Sequence, residues 1–154
     1  MTPRPYVGVV GPSGDPDPVV LRDAEEVGRL LAAAGAVVVT GGGTGVMEAA
    51  SRGAETAGGT ALGILPGADR SEGNAHLTVS VPTGLGEMRN ALLVRSVDAL
   101  VAVGGSWGTL SEVALACRTG VPVFALHGWD LPAVGGPVVA ADPADAVAQA
   151  LGVV

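Results

Sequence analysis

Short runs dense in Val, Ile and Leu alternate along the chain with longer amphipathic or Ala-rich stretches, and Gly-rich turns separate them. This is the rhythm of βαβ units. Tyr6 to Val10, Ala36 to Thr40, Thr60 to Leu65, Leu77 to Val81, Ala99 to Val103 and Val121 to Leu126 are the predicted strands. Most lack polar alternation, as strands covered on both faces should. A first helix is predicted from about Pro18 to Ala34, where Val20, Ala24, Val27, Leu31 and Ala34 share one face and Gly35 is placed to end it. Arg22, Asp23, Glu26 and Arg29 occupy its other face. Further helices are predicted over Val46 to Ala57, Leu85 to Val97, Thr109 to Thr119 and Pro143 to Leu151. No linker, charge block or repeat divides the chain, so residues 1–154 read as one domain. The expected fold is α/β: a Rossmann-like, doubly wound, mostly parallel sheet with helices on both faces.

Composition narrows the chemistry. With 48% apolar residues and a net charge of −7, the chain is neither disordered nor suited to neutralising nucleic-acid phosphates, so small-molecule partners are expected. All eight basic residues are Arg. Without Lys there is no Schiff-base nucleophile, no pyridoxal phosphate aldimine and no GxxxxGK phosphate loop. The single Cys117 excludes an internal disulfide, and its VALAC setting fits a small buried side chain in a reducing compartment. The apolar stretch before Gly11 and Pro12 is too short for a signal segment, which points to the cytoplasm. Leu30 to Met47 is uncharged for 18 residues, but its five Gly residues mark helix end, strand and turn rather than a membrane span.

In open parallel sheets, ligands bind beyond the carboxyl ends of the strands. Three turns at such positions are rich in Gly: GPSGDPDP, TGGGTGVME and GGSWGTLSE. The last two lead directly into helices, whose first amides and partial positive charge suit an anion such as phosphate. Tight turning alone is the blander reading of each loop taken singly. Neither loop is a GxGxxG, so a dinucleotide has little support.

In order and spacing, GGGTGVMEAASRGAETAGG, MRNALLVRSVDALVAVGG and GGSWGTLSE resemble the Lonely Guy proteins, whose hallmark is PGGxGTxxE preceded by an Arg-containing helix. The resemblance runs from Tyr6 to Leu126. GILPGADRSEGN, and Gly104 where the hallmark has Pro, look closer to a short-chain branch that includes molybdenum cofactor carrier proteins. For the better-known branch the resemblance implies hydrolysis of the N-glycosidic bond of a nucleoside 5'-monophosphate, releasing base and ribose 5-phosphate. Arg89 and Glu112 match its two catalytic residues, and Gly105, Gly108 and Thr109 match its phosphate-binding turn. Ser106 replaces the second Gly of that turn, Asn90 stands where the cytokinin-activating enzymes have Lys, and Gly42, Gly43 and Thr44 are expected to line the same site. The carrier branch implies the alternative of a non-catalytic protein holding molybdenum cofactor or a nucleotide. Neither reading requires a resident cofactor, and both imply a homodimer or higher homo-oligomer. The lysine decarboxylase label often given to this superfamily fails for want of a Lys.

The chemistry can also be read from the residues. Breaking a ribosyl bond builds positive charge at the anomeric carbon, which a carboxylate such as Glu112 can stabilise while activating water. Equally, Thr109 to Glu112 has the spacing of a capping box, in which Glu112 would be only a helix cap. Arg89 offers a rigid, permanently charged fork for phosphate or ribose, against the commoner fate of pairing with Glu87 or Asp98. Ser13 lies in a turn near the expected cleft, and Asp15 and Asp17 beside it are best explained by helix capping or solvation. Trp107 can stack on a ring or pack against protein, packing being the plainer reading. His76, His127 and Cys117 lack the spacing of metal ligands.

Overall fold

The computed structural model describes residues 2–154 as one sheet with helices on both sides. In chain order the elements are β1 (Tyr6–Val10), α1 (Pro18–Ala33), β2 (Val37–Thr40), α2 (Val46–Thr56), β3 (Thr60–Leu65), β4 (Val79–Pro82), α3 (Arg89–Arg95), β5 (Ala99–Val103), α4 (Trp107–Thr119), β6 (Val123–Leu126), β7 (Val138–Val139) and α5 (Pro143–Gly152). The strands lie in the order β4-β3-β2-β1-β5-β6-β7. Every pairing is parallel. This confirms the doubly wound α/β fold.

Two apolar layers hold the helices to the sheet. Val7, Val9 and Val38 meet α1, α2 and α5 on one face, while Val39, Leu100 and Ala102 meet α3 and α4 on the other. Such two-sided burial is why these strands read as unbroken apolar runs. The α1 and α2 helices cross at Gly28 and Gly53: a Cβ on Gly28 would stand 2.1 Å from the Ala50 carbonyl oxygen, and one on Gly53 2.0 Å from that of Glu25. Only Gly allows this approach. Asp17 caps α1 by accepting from the Val19 amide, and Pro18 occupies the first helical position, where its missing N–H costs nothing.

Element boundaries depart from the sequence pattern where backbone chemistry intervenes. The helix expected over Leu85 to Val97 shrinks to Arg89–Arg95 behind a single 3-10 turn, because Gly84 and Gly86 take φ of 66° and 59°, outside helical space. The last long strand starts at Val123 rather than Val121. Val121 still donates to Ala116 to close α4, and Pro122 has no N–H to give. The fourth strand runs Val79–Pro82, because the Leu77 amide still donates back to the Asn74 carbonyl in a turn, with the Leu77 side chain packed over Gly63. The two-residue β7 and a 3-10 turn at Arg70–Glu72 escaped the pattern altogether. Among the described residues no helix is long and apolar enough to cross a membrane.

β1 and β5 are neighbours whose connections lead to opposite sides, so their carboxyl ends open the crevice typical of this topology. Gly11 stands at that point, where a Cβ would lie 2.2 Å from the Val103 carbonyl oxygen.

Candidate functional site

The turn after β5 is shaped by Gly104, whose φ of 83° is closed to proline, locked near −65°. The departure from the PGG hallmark therefore has a conformational cause. Ser106 then caps α4: its Oγ accepts from the Thr109 amide at 3.2 Å and lies 2.9 Å from the Thr109 hydroxyl. This corrects the capping-box expectation. With Ser106 as cap, α4 starts at Trp107 rather than Thr109, Glu112 falls in the second turn, and its side chain plays no part in the cap. The first turn of α4 carries no acidic residue. The amides of Trp107 and Gly108, at its first two positions, have no intrahelical acceptor and remain available to an anion.

The other Gly-rich loop is built differently. Gly42, with φ of 76°, is buried against Leu65, and its carbonyl and that of Gly43 accept from Asn74. The Thr44 hydroxyl accepts from the Gly14 amide, and the first amide of α2 donates to Pro12. Glu48 lies in the first turn of α2, where its charge opposes an incoming anion. This loop serves to brace the turn after β1, and α4 is the better anion terminus.

Between these loops and α3 lies a cleft of about 340 Å³. Of the candidate residues, Ser13, Arg89, Ser106, Gly108, Thr109 and Glu112 line it, whereas Gly42, Gly43, Thr44 and Gly105 do not. Gly105 instead lies under the Trp129 ring, 2.7 Å from where its Cβ would be. Gly11, Met47, Pro66, Gly86, Glu87 and Asn90 complete the lining. Met47 has no local signal in the sequence, being placed there only by the packing of α2.

Among the described residues Arg89 is the only cation lining the cleft. It pairs with neither Glu87 nor Asp98: its Nη1 donates to Asn90 Oδ1 at 2.8 Å, while Asp98 accepts from the Tyr6 amide. The guanidinium lies flat against Gly41, 2.6 Å from where a Cβ would be, and its Nε is buried without a partner. Glu112 is 7% exposed and has no hydrogen-bond partner among the described residues. Burial raises its pKa to about 7, with the positive charge of Arg89 pulling the other way. Desolvation lowers the Arg89 pKa, partly offset by the carboxylate. An acid and a base that share a cleft without a direct bond are both available to a ligand.

The remaining candidates lie outside. Trp107 is 79% exposed and meets Trp129 edge-on, with ring centroids 4.9 Å apart. His76 pairs with Glu55 and His127 with Asp23. Cys117 is half-buried against the α3 and α4 core, which pushes its thiol pKa up.

The doubly wound sheet and the GGSWGTLSE turn place the chain in the superfamily of Lonely Guy-like and molybdenum cofactor carrier-like proteins. Within it, the chain belongs to the SLOG cluster4 family, whose model matches residues 4–149. An uncharacterized protein of Archaeoglobus fulgidus is 41% identical over 120 residues, 78% of each chain. Among solved structures, the molybdenum cofactor binding protein of Rippkaea orientalis superposes with a TM-score of 0.92 at 35% identity, covering 99% of this chain and 98% of that one. The molybdenum cofactor carrier protein of Chlamydomonas reinhardtii gives a TM-score of 0.87 at 36% identity, covering 98% of both.

Proposed function

We propose that this protein binds a phosphate-bearing small molecule in the Arg89 and Glu112 cleft and acts as a carrier of the molybdenum cofactor. One observation carries the binding reading: Gly108, in the first turn of α4 with its amide free of an intrahelical acceptor, and the guanidinium of Arg89 line the same cleft. A phosphate there accepts from the Gly108 amide, with that of Trp107 beside it at the helix start, the Ser13 and Thr109 hydroxyls at its edge and the Arg89 fork across from it. The identity of the cargo is supported by the whole-chain likeness to two proteins described as binding or carrying that cofactor.

A second reading, a nucleoside 5'-monophosphate phosphoribohydrolase, is favoured by Glu112. Its carboxyl is poised near neutrality by burial and lacks a protein partner, the state expected of a group that meets charge or a proton only on the ligand. In that reaction Glu112 stabilises the ribosyl cation and activates water, and Arg89 orients the phosphate. The two readings separate in one assay. The protein purified from cells that make molybdenum cofactor is expected to retain it, and to release no free base from a panel of nucleoside monophosphates. Base release without retained cofactor would establish the hydrolase instead.

Self-association is part of the proposal. Leu85, Met88 and Leu92 around α3, and Val79 and Val81 on the edge strand β4, are all at least 41% exposed, a concentration of apolar side chains that a second copy would cover. Light scattering at micromolar concentration is expected to give at least twice the 15.0 kDa chain mass. A monomer would refute it.

A further inference from the structure

The side chain that fixes Arg89 belongs to a hydrogen-bonded series whose direction is determined. Arg89 Nη1 donates to Asn90 Oδ1 at 2.8 Å, Asn90 Nδ2 donates to Ser111 Oγ at 3.0 Å, and Ser111 Oγ donates to the Gly108 carbonyl at 2.7 Å. Ser111 has one hydroxyl proton, and Gly108 takes it. The Asn90 amide must therefore turn its NH2 to Ser111 and its oxygen to Arg89. The series ties the first residue of α3 to the first turn of α4, the turn that offers its amides to the cleft.

What the series prevents is as informative. Arg89 and Glu112 share the cleft but form no direct ion pair; the ion pairs of the described residues are those of Asp23, Glu25, Glu26 and Glu55. In a half-buried setting two such charges attract strongly, and collapse onto each other would satisfy both. The guanidinium is instead held on Asn90 and against Gly41. The other charged group lining the cleft is Glu87, from the turn before α3; the side chains from α2 and the β1 turn, Met47 and Ser13, are neutral. Arg89 forms no ion pair with Glu87 either.

We infer that Asn90, oriented by Ser111, is a positioning residue that holds the Arg89 guanidinium away from Glu112, so that both remain turned to the ligand. This deepens the proposed reading of the cleft and rests on it only for the binding readout. Asn90→Leu keeps the side-chain size and removes both bonds, Ser111→Ala removes the pin on the amide, and Ser111→Thr retains the hydroxyl.

The first readout needs no ligand: the pH at which Glu112 titrates, followed by carboxyl ¹³C NMR on the full chain. In Asn90→Leu and Ser111→Ala the released Arg89 approaches Glu112, so its titration moves down from about 7 toward the ordinary carboxylate range, and Ser111→Thr restores it. The second is AMP affinity by calorimetry, expected to fall about tenfold or more in the first two variants, the loss of a charge-assisted hydrogen bond. Asn90→Leu and Ser111→Ala combined should be no worse than either alone, since they break one series. Unchanged Glu112 titration in a folded Ser111→Ala or Asn90→Leu protein overturns the inference. If the parent protein fails to bind AMP, the cleft reading falls, while the titration still decides whether the series positions Arg89.

Discussion

Glu112→Gln is expected to make the ligand-free protein more stable at pH 8, by up to about 3 kcal/mol, and to flatten the dependence of its stability on pH. In the folded chain the Glu112 carboxyl titrates at about 7, against an ordinary value of 4.5. The folded state therefore keeps its proton over a range in which the unfolded chain has already released it. The stability linked to this group is intact below pH 4.5, declines as pH rises, and is lost above about 7. Glutamine is neutral throughout and has nothing to lose. A helix cap would behave in the opposite sense, its removal costing about 1 kcal/mol at either pH. Denaturant unfolding of both proteins at pH 4.5 and pH 8 distinguishes the two. Under the hydrolase reading, the same variant should also lose about 100-fold or more in turnover, because the charge aimed at the ribosyl cation is gone.

Arg89→Met is expected to weaken AMP binding by about 100-fold, as two charge-assisted hydrogen bonds to phosphate disappear. Among the described residues the cleft has no second cation to compensate. Removing Arg89 also removes the one influence that lowers the Glu112 pKa, so the carboxyl should titrate above about 7. That direction is opposite to the one expected for Asn90→Leu, which keeps the guanidinium but frees it. An Arg89→Met protein with undiminished AMP affinity would place the phosphate elsewhere.

The apolar runs at Tyr6 to Val10, Thr60 to Leu65 and Ala99 to Val103 coincide with strands because both faces of the sheet are covered, leaving no polar side to blur the pattern. Where a helix or strand ends depended on single backbone events, as at Gly86 and Pro122, periodicity overran the boundary. The site was legible in part. Arg89 and Glu112 were found through a motif and share one cleft, but the partner of Arg89 is its own neighbour Asn90, which no spacing rule for helix faces anticipates. The two Gly-rich loops looked alike in sequence and differ in structure. Thr44 and the Gly42 and Gly43 carbonyls are committed to protein partners, and Glu48 guards α2, whereas α4 starts with a Ser cap and no acid. Likewise, Ser106 and Thr109 each had the residue type of a helix cap, and only the backbone shows that Ser106 takes the role.

That the start of α4 and Arg89 together recognise a phosphate is tested most directly by calorimetric titration of the unmodified protein with AMP and with adenosine, at one pH and one salt concentration. The two ligands share base and ribose and differ in the phosphate alone. The account predicts binding of AMP and no measurable binding of adenosine; equal affinity for both would contradict it.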